Sequence, residues 1–241
     1  PPRSTLFPYT TLFRSEAALK LFRGHAYGRP VEVAPGVTVT YHDAGHILGA
    51  ALTVFDLEEN GRRTRVAFAF DLGRRNLPLL RDPEVVKDVD TLILESTYGN
   101  RLHDDARTAT AKLGEVVRDT LGRGGKLFIP SFALERAQEI LYHLNVLQAQ
   151  GVIGRSCAYL DSPMAAKVAG VFERYIGLLD DETHALIREQ GSVFPRWVRF
   201  TESVDDSKRV TASKSPCIVI AASGMCEHGR KIGRASCRER G

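Results

Sequence analysis

The sequence lacks long apolar runs, a dense set of cysteines and a strong excess of one charge. No apolar stretch approaches the roughly 18–20 residues that a membrane-spanning helix needs. Four cysteines in 241 residues, with no CxxC pair, exclude a disulfide-dense scaffold. With 43% hydrophobic and 26% charged residues, the composition also excludes a collagenous or fully disordered chain.

Two further absences bear on compartment and function. No secretion signal is recognisable and the cysteine spacing suggests ordinary thiols, so we expect a reducing, cytoplasmic location. Cys157 and Cys217 adjoin apolar strand-like runs and are expected to pack in a core. Neither GxGxxG nor GxxxxGK[ST] occurs, which disfavours a nucleotide-binding α/β domain.

Both ends of the chain lack the periodicity of a helix or a strand. Residues 1–15 and 232–241 look like one sequencing-adapter DNA translated from its two strands, so we expect neither segment to be native. They hold five of the 33 basic and one of the 29 acidic residues, which leaves 28 of each sign in residues 16–231. The formal charge of +4 therefore gives no argument for a bulk affinity for nucleic acid.

The part between these ends shows two kinds of periodicity. From Val31 to Glu95, short alternating runs predict strands, with a hairpin turn at Asn60-Gly61. From about residue 104 onward, strands alternate with helices, which is typical of a parallel sheet with helical crossovers. Predicted strands are 37–41, 51–57, 64–70, a buried 91–94, 126–130, 158–161 and 217–221.

Four helices are predicted between these later strands. One runs from a cap at Asp104 or Asp105 to about Leu121, another begins at Pro163, and an exposed one covers 179–190. The first buries Leu113, Val116, Val117 and Leu121, and the apolar stripe of a further helix is Leu134, Ala137, Ile140, Leu141, Leu144 and Leu147.

Polar side chains follow three of the predicted strands. His46 lies in a glycine-flanked loop, Asp71 ends an apolar run, and Glu95 ends another. Each residue alone has an ordinary alternative as a turn or a cap. Together, a histidine and two carboxylates at three strand ends predict one site at the rim of a sheet, and this mixture of ligands suits zinc.

Six short motifs occur in a fixed order along the chain. They are DAGHILGA (43–50), DLGR (71–74), ESTYGNR (95–101), IPSFALERAQE (129–139), YLDSPMAA (159–166) and AASGM (221–225). In this order and spacing they resemble the β-CASP branch of the metallo-β-lactamase-fold nucleases, which are zinc-dependent RNA-processing enzymes. The resemblance spans residues 37–230.

The resemblance implies an α/β fold class, namely a partial metallo-β-lactamase αββα-type fold with an inserted Rossmann-like β-CASP α/β domain. The expected boundaries are an adapter-derived tail at 1–15, a partial metallo-β-lactamase domain at 16–103, a truncated β-CASP domain at 104–231 and a second tail at 232–241.

The resemblance also implies roles for the site residues. Family members carry two zinc ions and hydrolyse a phosphodiester with metal-bound hydroxide. His46 is then a zinc ligand, Asp71 a carboxylate bridging both ions, and Glu95 a catalytic residue that positions a histidine of the proton-transfer machinery. Candidate substrate-binding residues are Ser131, Arg136 and Ser223, for which helix capping by the serines and solvation of the arginine remain alternatives.

The chain departs from the family pattern in three ways. The zinc motif His-x-His-x-Asp-His is absent, and the motif histidines after Ala-Ser-Gly-Met are missing. In the third departure, the bulky Phe70 immediately precedes Asp71, where its ring would crowd the metal or point into the core. A catalytic zinc needs about three protein ligands, and His42 reads better as a strand residue than as the third. We therefore expect two zinc ions in the intact parent, and neither a stable zinc pair nor hydrolysis in this chain.

Three functions remain to be compared. The first is a fragment of a ribonuclease, inactive as truncated. Its intact parent cleaves RNA, or alternatively DNA. The parent has no membrane partner and is compatible with a homodimer. The second is a non-catalytic β-CASP subunit that binds RNA or serves as a scaffold. The third, a hydrolase of small esters or lactams, is disfavoured by the α/β insertion. Retention of His46, Asp71 and Glu95 favours the enzyme.

Overall fold

The computed structural model describes residues 17–102 and 106–222, which form two β-sheets and their flanking helices. Of the residues singled out above, Ser223 and the two expected cap residues Asp104 and Asp105 lie outside the described residues.

The first sheet contains five strands in the order of the sequence. The first four strands pair in antiparallel fashion, and the fifth is parallel to the fourth. The strands are β1 (Val31–Ala34), β2 (Val37–Asp43), β3 (Ala51–Glu59), β4 (Arg62–Ala69) and β5 (Thr91–Leu94).

A tight hairpin joins β3 to β4, as the Asn-Gly pair predicts. Asn60 and Gly61 have φ values of 50° and 74°, and two successive positive angles give the turn twist that matches a right-handed ribbon. Across the ribbon, the Phe55 and Phe68 rings meet edge to face with centroids 5.5 Å apart. The register of β3 with β4 fixes which side chains of β4 face the core. It also places Asp71 just beyond the end of β4.

The second sheet is parallel throughout, with the order β6-β9-β7-β8. Its strands are β6 (Lys126–Pro130), β7 (Ala158–Asp161), β8 (Val198–Phe200) and β9 (Cys217–Ala221). The accompanying helices are α1 (Ala106–Gly122), α2 (Arg136–Ala149), α3 (Pro163–Arg174), α4 (Asp181–Gln190) and α5 (Val204–Ala212), with a 3₁₀ turn at Ile176–Leu178. The expected mixed α/β class with helical crossovers is confirmed.

Side-chain caps begin three of these helices. The Ser162 hydroxyl accepts from the Ala165 N–H and precedes Pro163, whose missing N–H costs nothing in the first turn. Asp180 accepts from the Thr183 N–H at 2.6 Å at the start of α4. Ser203 and Asp206 form a reciprocal capping box at the start of α5.

One core cluster connects the two sheets. Its buried members come mostly from the second sheet and its helices, such as Leu141, Phe172 and Ile218, but Leu79 and Leu80 from the segment after β4 belong to it as well. Arg81, in the same segment, donates to the carbonyls of Gly177 and Leu179. The segment therefore anchors the first sheet in the core of the second.

Four details differ from the sequence-based expectations. β5 forms as expected, but all four of its residues are exposed because it is an edge strand whose faces the described residues leave uncovered. Val116 is exposed, so the apolar face of α1 is narrower than its pattern indicates. Leu134 is exposed and precedes α2, whereas Leu179 is buried and precedes α4.

Within the described ranges, no helix combines the length and the apolar character needed to cross a bilayer.

Candidate active site

The loop between β2 and β3 presents His46 to solvent. Asp43 ends β2 and accepts from the Gly45 N–H at 2.9 Å, while Ala44 and Ala50 close the base of the loop by a backbone hydrogen bond. Gly45 has φ of 58°, and a Cβ there would lie 2.7 Å from the carbonyl oxygen of Arg81. Glycine is therefore required at this turn, and the turn leaves the His46 side chain exposed at the rim of the sheet.

A backbone contact joins this loop to the loop that carries Asp71. The Gly73 N–H donates to the Ala44 carbonyl at 2.9 Å. A Cβ at Gly73 would lie 1.8 Å from the Gly45 carbonyl oxygen, so only glycine allows so close an approach. Asp71 itself adopts φ of 50°, an angle that Asp tolerates better than most residues, and its side chain is exposed.

Glu95 completes this arrangement from the end of β5. Its N–H donates to the Ala69 carbonyl, and its Oε1 accepts from the Leu72 N–H at 2.6 Å. The hydrogen bond from the Thr97 side chain, and then that from Leu72, hold the pKa of Glu95 below its ordinary value, and nearby His46 adds to the effect. The carboxylate is thus kept ionised beside the His46 loop.

The structure therefore brings His46, Asp71 and Glu95 to one rim of the first sheet. Parallel pairing of β4 with β5 places their carboxyl ends side by side, and the β2–β3 loop reaches the same place through Gly45 and Gly73. An imidazole beside an ionised, oriented carboxylate can accept or donate a proton.

Phe70 immediately precedes Asp71, and one of the two positions expected for it is a place in the core. Its side chain is 53% exposed, so it does not point into the core. Its ring lies beside that of Phe68, with centroids 5.9 Å apart. The bulk of this residue is therefore accommodated along the outer face of the strand.

Glu135, immediately before α2, contacts the His46 loop and was missed by sequence reasoning. It accepts a hydrogen bond from the Leu48 N–H, and it has a positive φ of 64° although it is not glycine. Burial, followed by the neighbouring Glu139 charge, raises its pKa to about 7. Among the described residues, none hydrogen-bonds to its buried Oε2 atom. Backbone strain of this kind is concentrated at functional sites.

Glu139, one helical turn further, connects α2 to the Asp71 loop. Burial acts to raise its pKa, but contacts with His143 and Arg136, and the charge of Arg74, together lower it. Arg136 Nη1 lies 2.6 Å from Glu139 Oε2, and His143 Nε2 lies 3.8 Å from Oε1. Because Arg74 belongs to the motif that begins at Asp71, this charge cluster spans both halves of the protein.

The three candidate substrate-binding residues have different surroundings. Ser131 is buried at the end of β6, with its N–H bonded to the Ala221 carbonyl. Arg136 is exposed and paired with Glu139. Ser223 lies outside the described residues. The structure thus leaves Arg136 as the described candidate whose charged end reaches solvent.

Asp161 of the YLDSPMAA motif is a buried carboxylate for which no role is predicted from the sequence. It accepts from the Thr201 hydroxyl at 2.6 Å and from the Ser207 hydroxyl at 2.7 Å. These bonds join the end of β7 to the segment after β8 and to α5. The motif therefore has a structural role, since it holds the carboxyl end of the second sheet together.

The described residues do not complete a metal centre. His42 lies in β2, and its Nδ1 is 2.7 Å from Glu84 Oε2, which supports its interpretation as a strand residue. Within residues 17–102 and 106–222, no group of three or more His, Cys, Asp or Glu side chains is arranged to hold a metal ion. His46 and Asp71 are therefore an incomplete donor set for zinc, which needs about three protein ligands.

Comparison with protein families gives a match that covers three of the four strands of the second sheet. Residues 137–232 match the Beta-Casp domain. This range includes α2 from its second residue, the strands β7 to β9 and the buried Asp161 network.

Comparison with curated proteins gives relatives that align over most of this chain. A ribonuclease of Thermus thermophilus is 34% identical over 217 residues, which are 89% of this chain and 48% of the relative. An endoribonuclease of Yarrowia lipolytica is 33% identical over 80% of this chain and 23% of its own length. Cleavage and polyadenylation specificity factor subunit 3 of Dictyostelium discoideum is 32% identical over 93% of this chain and 28% of its own length. The chain thus spans about half of the first relative and less of the other two.

Proposed function

We propose that this chain, which belongs to the β-CASP family of metallo-β-lactamase-fold proteins, is part of a longer nuclease that hydrolyses RNA phosphodiester bonds. RNA is the proposed substrate because the relatives are named as ribonucleases or endoribonucleases. DNA is the alternative substrate, and the proposed location is the cytoplasm.

One observation carries the proposal, namely the meeting of His46, Asp71 and Glu95 at one rim. The close approach of Gly73 to Gly45 and the hydrogen bond from Leu72 to Glu95 hold three loops together that are separate in the sequence. Maintaining exposed polar groups at such a rim requires backbone contacts that only glycine permits. Such a restricted backbone is expected at a reaction site rather than at a simple turn.

Glu95 has the properties of a residue that orients a proton carrier. Its carboxylate is ionised, and Leu72 and Thr97 occupy part of its accepting capacity. A carboxylate has about four lone-pair sites, so it retains capacity to accept from an imidazole N–H. Fixing an imidazole in this way supports acid–base catalysis, which contributes typically about 10²–10⁴-fold to a rate.

We further propose that the longer protein is zinc-dependent and that this chain alone holds no stable zinc pair. The described donor set supports the second statement, since His46 and Asp71 fall short of the ligand number that zinc requires. The proposal assigns His46 as a ligand and Asp71 as a bridging carboxylate in the longer protein, where other residues would complete the set.

The proposal is tested with the full-length protein expressed from its gene. Cleavage of a fluorescent single-stranded RNA is measured with and without a zinc chelator, beside a DNA of the same sequence. We expect chelator-sensitive cleavage of RNA, and a rate about 10²–10⁴-fold lower for Glu95→Gln. The exposed Glu32→Gln on β1 removes the same charge away from the site and is expected to keep the activity of the unsubstituted protein.

The present chain is assayed in parallel, with its zinc content measured after dialysis. We expect less than one zinc per chain and no cleavage above a metal-stripped control. Zinc-dependent cleavage by this chain alone would contradict the proposed incomplete site.

A non-catalytic RNA-binding subunit is the alternative function, and the same assay separates the two. A full-length protein that binds the RNA but leaves it intact, with or without zinc, would support the scaffold. Retention of the three polar residues at one rim favours the nuclease, because a binding surface does not need an oriented carboxylate at that position.

A further inference from the structure

Two cysteines occupy neighbouring positions at the amino-terminal edge of the second sheet. The parallel register of β7 with β9 pairs Ala158 with Ile218, and the Ile218 N–H donates to the Cys157 carbonyl at 2.8 Å. One position earlier, the same register sets Cys157 beside Cys217. Neighbouring strands lie about 4.7–4.9 Å apart, which falls within the range of about 4.4–6.8 Å between the Cα atoms of disulfide-bonded cysteines.

The two side chains also lie on the same face of the sheet. Cys217 is a buried member of a small apolar cluster with Val210 and Val219, and Cys157 packs against that cluster from its rim. Both thiols are free in this structure. The Cys157 Sγ donates to the Tyr159 hydroxyl at 3.1 Å, so a rotation about the Cα–Cβ bond of Cys157 is what directs its sulfur toward Cys217.

A fixed positive charge lies beside this pair. Lys126 on β6 is the register partner of Cys217 on its other side. Its Nζ donates to the carbonyls of Val210 and Thr211 at 3.0 and 2.8 Å, which holds the ammonium at the end of α5. Burial raises the pKa of Cys217, and Lys126 opposes that rise. The pKa of Cys217 stays raised overall, so the charge of Lys126 only partly offsets the effect of burial on the thiolate.

We propose that Cys157 and Cys217 form a reversible intramolecular disulfide, a redox-modification site at the sheet edge opposite to the strand ends that carry Ser131 and Asp161. The inference does not depend on the proposed nuclease function, because it rests on the β7–β9 register and on the shared face of the two thiols.

The oxidant class that this inference names is a hydroperoxide. The Cys157 thiolate, which is the more exposed of the two, attacks the terminal oxygen, the O–O bond breaks, and an alcohol or water leaves with the proton. The Cys217 thiolate then attacks the resulting sulfenic sulfur, the S–O bond breaks, and water leaves. The two thiols lose two electrons and two protons in total, and a dithiol reductant reverses the reaction by exchange.

The test uses the full chain with Cys226→Ser and Cys237→Ser, so that Cys157 and Cys217 are the remaining thiols. The folded protein is treated with hydrogen peroxide, blocked with N-ethylmaleimide and mapped by mass spectrometry without reduction. We expect a peptide pair joined through Cys157 and Cys217 in the monomer fraction, absent after dithiothreitol treatment. Matched chains that also carry Cys157→Ser or Cys217→Ser should give no joined pair.

The inference is overturned if both thiols of the folded chain remain open to N-ethylmaleimide after peroxide treatment. It is also overturned if Cys157 proceeds to sulfinic acid without joining Cys217, or if the joined peptides come from a covalent dimer. The deciding measurement is made on the chain that keeps both Cys157 and Cys217. A folding defect in either single variant therefore does not change the conclusion.

Discussion

Gly73 lies against the Gly45 carbonyl, and this contact joins the loops that carry Asp71 and His46. In Gly73→Ala, the new methyl group would lie 1.8 Å from that oxygen, so the two loops must separate. Overpacking of this kind costs about 1–3 kcal/mol. We expect a loss of that size in the free energy of unfolding, measured by urea denaturation.

Gly170→Ala is the matched control for this substitution. Gly170 lies inside α3, and a Cβ there meets no heavy atom within 4 Å. Alanine favours a helix interior by about 0.5–1 kcal/mol over glycine, so this variant should gain stability. If Gly73→Ala were as stable as the unsubstituted chain, the close contact between the two loops would be wrong.

Glu135 introduces a pH dependence of stability. Its pKa is about 7 in the folded chain, against a reference value of 4.5. The folded state therefore holds more protons between these values, and the free energy of unfolding falls as the pH rises through this window. In Glu135→Gln, which keeps an acceptor for Leu48, that fall should be smaller by roughly 1–3 kcal/mol.

Urea denaturation at pH 5.0 and 7.5 measures this difference. Glu173→Gln, an exposed carboxyl on α3, is the control and should follow the pH profile of the unsubstituted chain. Parallel profiles for Glu135→Gln and the unsubstituted chain would show that Glu135 does not titrate in this range. Because the charge of Glu139 contributes to the raised pKa of Glu135, the difference between the two profiles includes the coupling between these two groups.

The sequence predicts which polar residues lie near one another but not what holds them. His46, Asp71 and Glu95 follow strands or lie in a glycine-rich loop, and this local pattern is visible in the sequence. The role of Gly73 depends on a second loop that is 28 residues away, and the positive φ of Glu135 is an angle that its residue type does not favour. Both features arise from tertiary contacts, which a local pattern does not contain.

At the scale of single elements, the start of α5 depends on its capping box. The Ser203 hydroxyl accepts from the Asp206 N–H, and the Asp206 carboxylate accepts from the Ser203 N–H. Hydrogen bonds from Ser203, and then from Arg209, lower the pKa of Asp206 to about 2. Ser203→Ala removes the cap and should reduce the free energy of unfolding by about 0.5–2 kcal/mol at neutral pH.

Ser203→Asp is the conservative variant for this position, since aspartate caps helices as well as serine does. We expect it to recover most of the stability lost in Ser203→Ala, with both variants measured by urea denaturation. Equal losses in the two variants would mean that the serine acts through packing rather than as a cap.

The predicted strands match the observed bounds better in the second sheet than in the first, although β8 and α5 are not predicted from the sequence. Apolar strands alternate with helices after residue 104, and every predicted strand there is observed with its bounds. The run Thr91–Leu94 is a strand, but its side chains are exposed. A short apolar run indicates that a strand can be buried, whereas its actual burial depends on the layers that cover it.

At the scale of the whole molecule, the net charge of +4 does not indicate a basic surface that would bind nucleic acid. The basic excess comes from residues 1–15 and 232–241, and Arg136, near the candidate site, is paired with Glu139. Any affinity for RNA must therefore come from a local arrangement of groups. This is why the proposed nuclease test compares single charges at defined positions, Glu95 and Glu32, and not the net charge.

Leu79 connects the first sheet to the core of the second, so the two are expected to unfold together. Its side chain is fully buried in the main cluster, and Leu→Ala at such a site costs about 2–5 kcal/mol. Trp197, the single tryptophan, packs against this cluster and reports its unfolding by fluorescence. We expect Leu79→Ala to lower the urea midpoint of that signal, whereas Leu92→Ala, 54% exposed on β5, should change stability by less than about 0.5 kcal/mol. Equal midpoints for the two variants would show that the sheets are not coupled through Leu79.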